Sequence, residues 1–268
     1  MDFDRNCAPV IYDIYQRFYN AAGELIAPSA TRDDVYNRLT TDPCEAGNAY
    51  FELLDTDRLQ YIAGRKLFDT NVILHLQRYY IKHTGNTPLS GSWVNVRVVV
   101  NVDTQGSAID VVSTLSDMAA NQIGKMIYTY KVLLGVAGSN PVKRDKIVIY
   151  LRVPIPTTSG GVYIFPQISI LLEMLSFYAN PSAAPGPLIP FAKQYLDVDV
   201  AYGEGINYNG QELTFSEPRA DAIYSVLASN RSCSCPNFSQ KLAKAFDQRG
   251  LSIKLPFANK GSEKYIWG

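Results

Sequence analysis

The sequence predicts an α+β fold, with a helical N-terminal third packed on a mixed or antiparallel sheet flanked by helices. Three observations carry this reading. In WVNVRVVVNVD, residues 93–103, Val94, Val96, Val98, Val100 and Val102 share one strand face while Trp93, Asn95, Arg97, Val99, Asn101 and Asp103 share the other. Two further strand-like runs follow, IYTYKVLL (127–134) and KIVIYLRV (146–153). The segments before and between them carry helical spacing with start and stop signals.

In chain order, PVIYDIYQRFYN (9–20) places Ile11, Ile14, Tyr15 and Phe18 on one helical face, with Pro9 suited to a first turn. TRDDVYNRL (31–39) opens with a capping threonine and acids in its first turn. FDTNVILHLQRYYIKHTG (68–85) reads as a third helix stopped by Gly85. After the 93–103 strand come a helix over 107–122 and the strand over 127–134. GVAGSNP (135–141) is a turn-rich loop. The strand at 146–153 sets Ile147, Ile149 and Leu151 against Lys146, Val148, Tyr150 and Arg152. A helix over 164–179 leads to the Pro- and Ala-rich link NPSAAPGPLIP, and YLDVDVAY (195–202) alternates as an edge strand. A helix begins near Pro218, capped by Ser216 or Glu217, and NFSQKLAKAFDQRG forms a last amphipathic helix ending at Gly250. No repeat or low-complexity segment interrupts this order. Residues 1–90 are therefore a helical N-terminal region and 91–268 an α+β body, together one compact unit.

Composition limits the function classes. The 268 residues are 47% hydrophobic and 19% charged, which suffices for a substantial core. Lys+Arg and Asp+Glu are both 25, so the chain lacks the cationic excess of a general nucleic-acid or membrane-surface binder. A local basic pocket is still compatible with that balance. Cys233 and Cys235 form C-x-C, too close for an ordinary disulfide with each other. With Cys7 and Cys44 they provide no C-x-x-C pair, and only two histidines are present, so reduced thiols are expected and no metal site. The opening MDFDRNCAPV lacks the basic and apolar regions of a secretory signal. The longest apolar run, VYIFPQISILLEMLSFY, is broken by Pro166, Gln167 and Glu173 and is too short for a bilayer. A soluble, cytoplasmic protein is expected.

The charged groups inside ordered segments need an explanation. Lys131 stands in the middle of IYTYKVLL, Arg97 in the alternating strand, and Arg219 at a helix start where backbone N–H groups favour an anion. Arg97 shares its face with Asn95 and Asn101, which could line a polar pocket. A lysine offers a point charge, or a base once desolvation lowers its pKa, and arginines can grip a phosphate bidentately. Each also has a plainer reading as a solvated or snorkelling side chain. Arg144 and Asp145 can equally form a turn ion pair of little energy. His75 and His83 lack ligand spacing and read as structural. No G-x-G-x-x-G, G-x-x-x-x-G-K-[ST], G-x-S-x-G or H-E-x-x-H occurs, and YGEG (202–205) reads as a turn rather than a phosphate loop.

The order NVRVVVNV, helix, YTYKVL, loop, KRDKIVIYL, long helix, VAYGEG and FSEPRADAIYSVL resembles the HopA-type effector family over residues 93–260. That family includes a plant-pathogen type III effector and lyase-like proteins from peptide natural-product clusters. The latter look like relatives of the phosphothreonine lyases of enteric pathogens. The resemblance implies a phosphothreonine-lyase-like fold and β-elimination of phosphate from phosphoserine or phosphothreonine in a peptide, leaving a dehydroamino acid. It implies a separate kinase-like partner that phosphorylates the peptide first. Lys131 in YKVL matches the lysine that takes the Cα proton. Arg97 in VRVVV, Arg144 in KRDK and Arg219 in PRADAI match the phosphate clamp, and Tyr150 in VIYL matches a recurrent tyrosine.

Such chemistry needs no metal or organic cofactor, because fixed guanidinium groups can stabilise both the developing enolate and the departing phosphate. One departure stands out. The enteric lyases use a histidine as general acid, whereas RVVVNVD has none and Asn101 stands where some relatives carry it. A clamped phosphate could leave unaided, Tyr150 could donate, or the protein could be a non-catalytic effector that only binds a partner. The implied location is the cytoplasm, or a host cytosol for a secreted effector.

Overall fold

The computed structural model describes residues 2–40, 54–74, 77–86, 93–136, 145–155, 163–179, 191–208, 211–262 and 265–266. Three helices come first: α1 (Asp2–Phe18), α2 (Arg32–Thr40) and α3 (Thr56–Gly64). α1 starts earlier than its apolar spacing suggests and carries Pro9 in its interior. α3 opens on Asp55, whose carboxylate accepts the Arg58 N–H at 2.8 Å, and it buries Ile62.

Residues 68–85 depart from the sequence reading. They form a hairpin, β1 (Thr70–Leu74) and β2 (Gln77–His83), with Thr70 opposite Ile81, and not a third helix. Val72, Ile73, Tyr79, Tyr80 and Ile81 are β-branched or aromatic and lose side-chain freedom in a helix. Their spacing fits either periodicity over so short a run, and pairing to a distant strand decides the matter. Gly85, with φ +73°, turns the chain after the strand rather than ending a helix.

The remaining elements are β3 (Trp93–Val100), α4 (Gln105–Asp117), α5 (Gln122–Met126), β4 (Ile127–Val136), β5 (Ile147–Pro154), β6 (Tyr163–Ile164), α6 (Pro166–Ser176), β7 (Lys193–Gln194), β8 (Val200–Glu204), β9 (Ile206–Tyr208), β10 (Gln211–Leu213), α7 (Ser216–Ser229), α8 (Cys235–Gln248) and β11 (Tyr265–Ile266). The helix expected over 107–122 is broken at Asn121, whose side chain accepts the Gly124 N–H and starts α5. YLDVDVAY is extended only in its second half. Leu196 takes φ +52° and the Tyr195 N–H closes onto the Val200 carbonyl, so a loop fills the place of the first. YGEG continues β8 and is not the expected turn.

Seven strands form one sheet in the order β1-β2-β4-β5-β3-β8-β7, each neighbour antiparallel to the next. The fold class is α+β, as its sequence pattern implies. Val94, Val96, Val98 and Val100 face one core, with Ile109, Val112 and Leu115 of α4 and Ile168, Leu172 and Leu175 of α6. Val99, Val148 and Ala201 face the other, beneath Ile11 and Ile14 of α1, Val35 of α2, Ile223 of α7 and Phe238 and Phe246 of α8. Each fully buried Val, Leu, Ile or Phe contributes about 1.5–3 kcal/mol, so the two cores hold the three layers together. The sheet is sandwiched, and a polar side chain on either face must find a partner inside.

Candidate functional site

The second face of the sheet carries the polar groups. Arg97 of β3 lies opposite Tyr150 of β5, which lies opposite Thr129 of β4. One step along, Val99 lies opposite Val148 and Val148 opposite Lys131. Paired residues share a face, so Arg97, Tyr150 and Lys131 project together toward α2 and α7. Two strand spacings and two residues along the strand put the Arg97 and Lys131 Cα atoms about 12 Å apart, within joint reach of their long side chains.

Arg97 is 3% exposed. Its Nη2 donates to Asp145 Oδ2 at 2.8 Å and its Nη1 to the Ser216 hydroxyl at 3.0 Å, at the first residue of α7. The Tyr36 hydroxyl of α2 is hydrogen-bonded to the same guanidinium. Its Nε, and Oδ1 of Asp145, are buried without a hydrogen-bond partner. Burial alone would lower the Arg97 pKa, but the pull of Tyr150, Asp145 and Tyr36 raises it, and the group stays charged. Tyr79 of β2 completes the cluster. Burial foremost, then the Asp145 charge, pushes its phenol far above the usual range, so it remains a neutral hydroxyl. The Lys131 ammonium is half-buried and stands 5.4 Å from the centre of the Tyr79 ring.

A cleft of about 120 Å³ opens over this face, lined by Asn95, Arg97, Tyr128, Tyr150, Thr214 and Phe215 among others. Asn95 turns a buried side-chain oxygen without a hydrogen-bond partner in the same region. Arg152, opposite Asn95 in register, stacks 4.3 Å from the centre of the Tyr128 ring and 5.7 Å from that of Trp93. Gly203 faces Arg97 across the ladder. A Cβ at Gly203 would come within 2.1 Å of the Phe215 ring, so only glycine lets Phe215 and the start of α7 settle there. The turn into α7 is fixed by Glu217, whose carboxylate accepts the Thr214 N–H at 2.6 Å. The helix is capped from inside its first turn, and the residue before it is Phe215 rather than Ser216 or Glu217.

The structure thus gathers Arg97, Tyr150 and Asn95 in one cleft, while Lys131 shares the sheet face one row further along and does not line the cleft. It does not bring Arg219 or Asn101 there. Arg219 is 1% exposed, and its three nitrogens donate to the Pro256, Phe215 and Glu204 carbonyls. Its guanidinium lies 3.7 Å from the centre of the Phe215 ring. Burial lowers its pKa to about 9, so it remains a cation at neutral pH, locking the C-terminal segment to α7 in place of the expected phosphate clamp. Asn101 donates from its side chain to Asp199 at 2.8 Å, about 13 Å up the strand from Arg97. Arg144 and His75 lie outside the described residues. His83 is exposed beside Thr129, 3.2 Å between Nδ1 and Oγ1.

Asp145, Tyr36, Tyr79 and Ser216 escape the sequence reading. Asp145 enters the sequence reading only through an optional turn pair with Arg144, and it reaches the guanidinium of Arg97, 48 positions away. An acid between basic residues in KRDK is the available signal. Tyr36 and Ser216 come from separate helices; Ser216 reads only as a helix cap, and nothing local marks either as a partner of Arg97. Cys233 and Cys235 are free thiols. Among the described residues, no group of three or more His, Cys, Asp or Glu could hold a metal ion, and no helix is long and apolar enough to cross a membrane.

No protein-family model matches the chain, and no curated protein matches it either. Solved structures do. The chain is similar to an effector protein from Pseudomonas syringae pv. tomato strain DC3000 at 14% identity, covering 97% of this chain and 99% of that one with a TM-score of 0.57. It is also similar to an effector protein from Pseudomonas syringae pv. syringae strain 61 at 13% identity, covering 94% and 98% with a TM-score of 0.53. At these identities the likeness is one of fold, and it extends over nearly the whole chain: these residues adopt the fold of two bacterial effector proteins.

Proposed function

We propose that the protein binds a phosphoserine- or phosphothreonine-containing peptide over the Arg97 cleft and eliminates the phosphate, leaving a dehydroamino acid. The observation that supports this most is the buried Arg97 guanidinium, with one donor unpartnered, at the floor of a cleft whose sheet face also carries Lys131 and Tyr150. In the step, Lys131 in its neutral amine form accepts the Cα proton and the C–H electron pair becomes the Cα=Cβ bond. The Cβ–O bond breaks with its electrons going to phosphate. Arg97 stabilises the charge that builds on the phosphate oxygens, and in this reading the Tyr150 hydroxyl donates to the leaving oxygen. No metal or organic cofactor enters this scheme. A kinase-like partner must supply the phosphorylated residue, which puts the reaction in a cytoplasm, that of a host if the protein is exported.

A second reading has its own support. The Arg97 guanidinium is already engaged by Asp145, and the similar solved structures are effectors, so the cleft could hold an anionic partner without turnover. Mass spectrometry of a phosphoserine peptide incubated with the protein separates the two. The lyase reading expects a product lighter by one phosphoric acid; binding with unchanged mass supports the second reading and excludes the first.

A further inference from the structure

The Arg97–Asp145 pair is incomplete on both sides. A guanidinium offers a bidentate edge formed by Nε and Nη2, which matches two oxygens of one oxyanion. Here Nη2 holds Asp145 Oδ2 at 2.8 Å while Nε has no hydrogen-bond partner. Asp145 is 6% exposed, and its Oδ1 also has none. Leaving charged atoms unsatisfied at such depth costs about 1–3 kcal/mol each, so a half-occupied edge marks a place where a better ligand would be favoured. The resident carboxylate carries a single charge, and it reaches only one of the two donors. Arg97 is among the residues that line the cleft, so an anion entering it approaches this guanidinium.

We infer that Asp145 is a specificity-determining residue of the anion site: as the resident occupant of half the Arg97 edge, it admits dianionic phosphate groups and rejects carboxylates. The inference rests on the reading of the Arg97 cleft as a phosphate site, and it assigns to Asp145 the discrimination of a phosphomonoester from a carboxylate. An aspartate or glutamate of a passing peptide brings the same single charge as Asp145 and gains nothing by exchanging with it. A phosphate dianion brings twice the charge and a second oxygen for Nε, and it also accepts from the Ser216 hydroxyl and Tyr36 that already surround the guanidinium. Entry then displaces Asp145 from Nη2, and the displaced carboxylate repels any further anion. Without such a resident, a buried arginine beside an open cleft would bind acidic side chains of every nearby peptide. The pair therefore supplies rejection as well as attraction.

The test follows the Arg97 Nε–H resonance by NMR in arginine-labelled protein, titrated at pH 8 with inorganic phosphate or with acetate. In the unaltered protein phosphate should shift and saturate this resonance, and acetate should not. In Asp145→Asn, which keeps an oxygen acceptor but loses the charge, the phosphate concentration at half-saturation should fall about tenfold, and acetate should now bind. A merely structural role for Asp145 would weaken phosphate binding and leave acetate unbound. Asp145→Ser, smaller and also neutral, should show the same gain for acetate and provides the comparison if the asparagine variant folds poorly. If phosphate shifts the resonance in the unaltered protein but the neutral variants bind acetate no better, the role given to Asp145 is wrong while the phosphate site stands. If phosphate leaves the unaltered protein's resonance unmoved, both ideas fall.

Discussion

Replacing Arg219 by alanine is expected to lower the unfolding free energy by about 3–5 kcal/mol, and lysine should recover little of it. The guanidinium is 1% exposed and makes its shortest bonds at 2.7 Å, to the Phe215 and Pro256 carbonyls. Truncation would leave those carbonyls and that of Glu204 facing a void, and would remove the cation opposite the buried Glu204 carboxylate. Glu204 itself accepts the Asn259 N–H at 2.8 Å, so the loss spreads into the C-terminal segment. Lysine carries its three donors on a single nitrogen and lacks the planar fork whose separate nitrogens reach the Pro256, Phe215 and Glu204 carbonyls. Denaturant unfolding monitored by circular dichroism would show the change as a lowered midpoint with the slope preserved. A loss below about 1 kcal/mol would mean that these bonds form only weakly in solution.

Replacing Lys131 by alanine should have the opposite profile. Turnover of a phosphoserine peptide should fall about a thousandfold, the scale of a positioned general base, while stability changes by no more than about 1 kcal/mol. The side chain is half-buried and its ammonium contacts the Tyr79 face, a modest interaction to lose. Binding of the phosphopeptide should survive, since Arg97 and Ser216 remain in place. Single-turnover kinetics with a saturating excess of protein separates the chemical step from binding. Undiminished elimination in this variant would remove Lys131 from the mechanism.

Much of the fold was legible because strand alternation is a local property. The two faces of residues 93–100 fall where the valines put them, with Val94, Val96, Val98 and Val100 in one core and Val99 in the other. What failed was the segment at 68–85, where apolar residues fit a helical spacing as well as a strand. Its pairing to β4 depends on residues far downstream. The site was half legible in the same way. Counting put Arg97 opposite the valines of its strand and Tyr150 opposite the isoleucines of its own, and only the register brings the two into a shared row. That Asp145 would take the Arg97 guanidinium, or that Arg219 would be spent on backbone carbonyls, depends on long-range folding. A buried cation in a sequence announces only that partners exist. Which partners they are is a tertiary fact.

Whether Arg97 receives the phosphate can be read from calorimetry with one phosphoserine peptide and its unphosphorylated counterpart, on the unaltered protein and on Arg97→Lys. The lysine keeps a positive charge beside Asp145, so the core should hold, but it has no paired donors for an oxyanion. Preference for the phosphorylated peptide should exceed about tenfold in the unaltered protein and vanish in the variant. Equal affinity for the two peptides before any substitution, or a preference that Arg97→Lys leaves intact, would show that this guanidinium is not what receives the phosphate.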